Sequence, residues 1–142
     1  VFTGHTDLRP TWLGERTEMI NAQDEPTFNR KINGWLVKDK KNPWFVCFGA
    51  IDKPEEKFNT KLNQEKLTSS NTLSYQISLD KGASKTITFS IAGSYTSEDE
   101  AIKSLKKIQN NLPELVEVKK NRYKALSNQT KLTIPDKKLE RI

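Results

Sequence analysis

Two stretches of the chain alternate strictly between apolar and polar positions. Leu73, Tyr75, Ile77 and Leu79 are interleaved with Thr72, Ser74, Gln76 and Ser78, and Ile87, Phe89 and Ile91 with Thr86, Thr88 and Ser90. A period of two puts one residue set on each face, the pattern of an antiparallel sheet that is wet on one side. Asp80-Lys81-Gly82 lies between the two runs and carries turn chemistry, since Gly tolerates positive φ and Asp bonds to its own turn backbone. Residues 72–91 therefore predict a β-hairpin. Upstream, Trp35-Leu36-Val37 follows the turn signal Asn33-Gly34, and Lys38 to Asn42 form a charged connection. Pro43 then opens Trp44–Ile51, which is apolar at both parities, as a strand covered on both faces would be. Residues 33–51 predict a second hairpin with a five-residue loop. Residues 52–71 read as a connection or an edge. The first 32 residues are polar and repeatedly broken, at Thr3-Gly4, Arg9-Pro10, Leu13-Gly14 and Glu25-Pro26, and predict a long irregular start.

Beyond residue 96 the period changes. Ser97-Glu98-Asp99-Glu100 has the spacing of a capping box, in which Ser97 accepts from the Glu100 amide and the Glu100 carboxylate reaches back to the Ser97 amide. Ala101, Leu105, Ile108 and Leu112 follow at helical spacing and predict a stripe that packs on the sheet. A second helix, over 114–127, carries Leu115, Val118, Arg122 and Leu126 on one side with Tyr123 beside them. Its apolar face is too thin for a core contact of its own, so it reads as an exposed linker. Leu132-Thr133-Ile134-Pro135 is extended, and Asp136 begins what reads as a third helix, so the chain is expected to be a piece of a longer protein.

Composition narrows the chemistry. The 142 residues include 34% hydrophobic and 30% charged side chains, a thin core for one domain. The formal charge is +6, but residues 1–96 hold 13 basic against 11 acidic groups and residues 97–142 hold 11 against 7. A mild excess interleaved with acids predicts a solvated lysine-rich surface rather than a nucleic-acid interface, and the basic nucleic-acid module stays a second alternative. No apolar run approaches a membrane span. Cys47 and His5 are single, which excludes an internal disulfide and a multi-cysteine metal site and leaves little room for Ser-His or Cys-His catalysis. Asp24-Glu25 and Glu55-Glu56 read as solvated loop acids, and His5 with Asp7 as a weak metal pair. No metal, cofactor or catalytic residue is expected.

The tryptophans are the remaining candidates. Indole faces stack on sugar rings, so Trp12, in a loop after Pro10, and Trp44, at a strand start, are the candidate sugar contacts. Core or interface packing is the competing account of all three tryptophans, Trp35 included.

Residues 73–142 also carry an order of motifs: the alternating strand, the Asp80-Lys81-Gly82 turn, a strand ending Phe89-Ser90-Ile91-Ala92-Gly93, the capped helix from Ser97, a helix containing Asn121-Arg122-Tyr123, and Leu132-Thr133-Ile134-Pro135-Asp136-Lys137-Lys138-Leu139. This half of the chain resembles the end of the N-terminal β-sandwich domain, with its helical linker, of glycoside hydrolases that have an (α/α)6 barrel, the glycogen-debranching and glucoamylase-like enzymes. The resemblance implies a partial, supersandwich-like antiparallel β-sandwich over 1–96 and a helical linker over 97–142. It implies a non-catalytic role in carbohydrate metabolism, with the catalytic carboxylates in a barrel beyond Ile142. The expected partner is that barrel, with an oligosaccharide as a further candidate, and the expected compartment is the periplasm or the exterior. A stand-alone carbohydrate-binding module is the first alternative.

Overall fold

The computed structural model describes residues 1–9, 20–63 and 65–129. The chain divides into two compact units, 1–110 and 111–142. The described residues of the first form seven strands: β1 (Phe2–Thr6), β2 (Asp24–Asn29), β3 (Gly34–Asp39), β4 (Phe45–Ala50), β5 (Glu56–Asn63), β6 (Thr68–Ser74) and β7 (Phe89–Ser94). Among its described residues one helix, α1 (Glu98–Asn110), follows the strands. A three-stranded sheet has the order β1-β6-β5 and a four-stranded sheet the order β2-β3-β4-β7, all pairs antiparallel. The mainly β, sandwich-type fold with helices at the C-terminal end is the architecture expected from the pattern.

The two-sided apolar run of β4 explains the layering. Phe48 turns toward the three-stranded sheet and packs with Trp35, Val37 and Leu73, while Cys47 turns the other way, with Leu36 and Ala92, onto Ala101 and Leu105 of α1. The four-stranded sheet is thus a middle layer, covered on one face by a sheet and on the other by a helix. The sheets approach closely: Phe2 stacks on Phe89 at 4.2 Å, and a Cβ on Gly4 would stand 2.5 Å from the Phe48 ring. The Trp35 indole donates across the interface to the Thr72 carbonyl at 3.1 Å. Trp35 is a core residue.

The 33–51 hairpin forms as predicted, with β3 running on to Asp39. The 72–91 hairpin does not. Leu73 lies in β6 between β1 and β5, whereas Phe89 and Ile91 pair with β4 in the other sheet. Residues 75–88 carry the chain from one sheet to the other without a ladder. The turn itself is present, with Ala83 N donating to the Asp80 carbonyl at 3.0 Å and φ of +84° at Gly82. The physical reason is competition. Alternation fixes which side chains share a face, not which strand lies alongside, and each end of this segment finds a better partner in a multi-stranded sheet than an isolated two-stranded ribbon offers. Burial fades outward accordingly, from a buried Leu73 through a half-buried Tyr75 to an exposed Ile77 and Leu79. The start of the chain differs too, since the stretch read as irregular contains β1 and β2. β5, read as a connection or an edge, is an edge strand.

In α1, Ser97 Oγ accepts from the Glu100 amide at 3.2 Å, as the capping box requires. The reciprocal half is rearranged: the Glu100 carboxylate accepts from Ser94 Oγ at 2.6 Å, and it is Ser94 Oγ that accepts from the Ser97 amide. Hydroxyl bonds from Ser94 and then from Thr96 hold the Glu100 carboxyl below its usual range. Ala101 and Leu105 are fully buried and Ile108 packs beside them. The second unit consists, in its described part, of α2 (Leu112–Gln129).

Candidate functional site

Of the two tryptophans expected to touch sugar, Trp12 lies outside the described residues. Trp44 is half-buried immediately before β4, and its carbonyl accepts from the Asp39 amide at 3.1 Å. The anchored backbone fixes where the indole leaves the chain. His5 and Asp7 form no metal pair: His5 Nδ1 is bonded to Ser70 Oγ at 2.7 Å, and Asp7 pairs with Arg9 at 2.9 Å. Among the described residues there is no group of three potential metal ligands, and no helix is long and apolar enough to cross a membrane.

Asp24 is not a solvated loop acid. It sits in β2 directly across from Asp39 in β3, and both carboxylates are fully buried. Their jobs are structural and distinct. Asp39 gathers four N–H donors, from Lys41 at 2.9 Å, Asn42 at 2.7 Å, the Asn42 amide side chain at 2.8 Å and Ala22 at 3.0 Å, and so shapes the β3–β4 loop. Asp24 accepts longer bonds from the Leu8 amide, 3.3 and 3.4 Å, and a bond from Thr6. Desolvation is the dominant influence on it and raises its pKa. Nothing in the Asp24-Glu25 dipeptide announces this burial.

Large apolar side chains are exposed on both units, Val1, Ile20 and Phe58 of the first among them. On the first unit Ile51, Ile77, Leu79, Ile91 and Tyr95 are exposed. In the second unit, α2 has no buried residue over eighteen positions. Leu115, Val118, Arg122, Tyr123 and Leu126 nevertheless gather with Lys119 around one concave surface, the stripe the helical spacing predicts. Lys119 lies 5.7 Å from the Tyr123 ring centre, and Lys120 pairs with Glu117 at 2.7 Å, so charged stems flank the apolar strip.

Compared with models of protein families, with curated proteins and with solved structures, the chain matches none of them.

Proposed function

We propose that the chain is a non-catalytic β-sandwich module of a glycoside hydrolase, which packs on and supports an (α/α)6 catalytic barrel. The observation that carries this reading is α2: an eighteen-residue helix with an apolar strip and no buried residue. Helices in water draw most of their stability from burying such a face. A helix that leads from a sandwich into a barrel would bury it there, against the barrel's first helices. The uncovered apolar residues of the first unit support the same reading, and so does the order of motifs over residues 73–142. The buried carboxylates argue for a supporting role as well, because both are engaged in holding loops. The module would act in the periplasm or outside the cell, where exported enzymes of this kind meet oligosaccharides.

The test is activity with and without the residues encoded after Ile142. The chain alone should leave maltose and aryl glucosides intact, and the joined protein should hydrolyse a glucoside. Turnover by the chain alone overturns the reading. So does a downstream sequence without amphipathic helices that bear a pair of acids. Trp44 is the described candidate for a sugar contact; loss of glycan-array binding in Trp44→Ala would favour a carbohydrate-binding module instead.

A further inference from the structure

A groove of about 450 Å³ opens where the β2–β3 turn meets the link between β4 and β5, lined by Phe28, Arg30, Asn33, Lys53, Glu55 and Lys57. We propose that this groove binds a small molecule through an oxyanion group, a phosphate or a carboxylate. Its size falls within the range of small-molecule sites.

The walls are held by backbone and core. Asn33, at φ +46°, donates from its side-chain amide to the Ile51 carbonyl at 3.0 Å and staples the turn to the link. The Glu55 amide donates to the Ser74 carbonyl at 2.8 Å, and the neighbouring Pro54 is buried. The Phe28 ring stands edge-on to Trp35 at 5.7 Å, and Trp35 is itself tied to the opposite sheet. Lys57 places its ammonium 3.9 Å from the centre of that Phe28 ring. A long flexible cation is thereby located by a chain of contacts that reaches into the core.

The positive charge is only partly offset. Arg30, Lys53 and Lys57 make no ion pair among the described residues, while other surface lysines do, Lys40 with Glu25 and Lys85 with Asp52. Among the described lining residues the one carboxylate, Glu55, is engaged: with the Gln76 amide turned so that its nitrogen faces the acid, it donates to both oxygens at 3.1 and 3.3 Å. Three cations against one hydrogen-bonded acid in a concave surface focus a positive potential. Arg30 supplies the planar fork that matches an oxyanion, and the lysines supply point charges. Nucleic acid fits less well, because Lys57 occupies the Phe28 face on which a base would stack.

The experiment is a titration of the chain at low ionic strength, followed by backbone amide shifts, with inorganic phosphate, glucose 6-phosphate, glucuronate and neutral glucose as probes. Saturable shifts confined to residues 28–33 and 51–57 are expected for the anionic probes and absent for glucose. Free phosphate matching glucose 6-phosphate would place recognition in the anion alone; tighter sugar phosphate or glucuronate binding would place a sugar body in the groove. Arg30→Gln with Lys57→Gln should weaken binding at least tenfold, and Lys53→Gln alone should weaken it several-fold. All three side chains are exposed and should leave the remaining shifts unchanged. Absence of shifts at these residues, equal shifts along the lysines of α1, or unaltered affinity in both variants overturns the proposal. Tighter binding of a DNA duplex, with shifts spread over the basic surface, overturns it in favour of nucleic acid.

Discussion

Cys47 sits where β4 meets α1, its thiol donating to the Ala101 carbonyl at 3.3 Å, and burial pushes its pKa up from 9.0 to about 11. A thiol with a raised folded pKa keeps its contribution to stability below the unfolded value and loses it as pH rises through the folded one. Unfolding free energy should therefore fall between pH 9 and 11 by about 2–3 kcal/mol from this group, at roughly 1.4 kcal/mol per pH unit. Cys47→Ala should flatten that interval in denaturant titrations, and a thiol reagent should label the native chain only as fast as it opens. The two buried aspartates differ in what they hold. Asp39→Asn turns one acceptor oxygen into a donor among N–H groups and should cost at least about 1.5–3 kcal/mol at pH 7. Asp24 has its pKa raised by desolvation, so its contribution is present at acid pH and lost as pH rises through its folded value. Asp24→Asn should cost less than Asp39→Asn and should remove part of the stability lost from acid to neutral pH. An Asp24→Asn penalty equal to that of Asp39→Asn would contradict this assignment of roles.

At the scale of elements, the two helices make opposite use of similar apolar spacing. Leu105 of α1 is fully buried, and Leu105→Ala should cost roughly 2–5 kcal/mol as a large-to-small core change. Leu126 of α2 is half exposed, and Leu126→Ala should stay within about 0.5 kcal/mol in this chain. The same change should cost several-fold more in a longer protein in which the proposed barrel covers α2. Thermal unfolding of both variants checks the pair, and equal large losses in this chain would place α2 in a core of its own. The capping residues were readable because a cap is local: Ser97 and the Glu100 amide are three residues apart. That the Glu100 carboxylate would prefer Ser94 was not readable, since it depends on where β7 releases the chain into α1.

For the whole molecule, the distance between sheets is the controlling quantity. Gly4 lets β1 come down onto the Phe48 ring, and Phe48 is held in the core on its other sides. Gly4→Ala should push the sheets apart and cost about 1–3 kcal/mol as overpacking, read from a lowered denaturation midpoint at unchanged slope. The local pattern alone determined which residues share a face, the turn at Gly82, the β3–β4 hairpin, the two-sided cover of β4 and the start of α1. Each rests on neighbours within a few positions, where side-chain period and backbone sterics decide. Tertiary structure decided the rest. Residues 2–6 became a strand because a distant partner, β6, offered its hydrogen bonds, and residues 24–29 because β3, across a short turn, did the same within a sheet that β4 and β7 complete. The alternating segment 72–91 was divided between two sheets for the same reason. Asp24, Arg30 and Lys57 took their roles only when strands far apart in sequence came together. Pairing and charge focusing depend on which surfaces meet, and that is a property of the folded chain, which periodicity along the sequence leaves open.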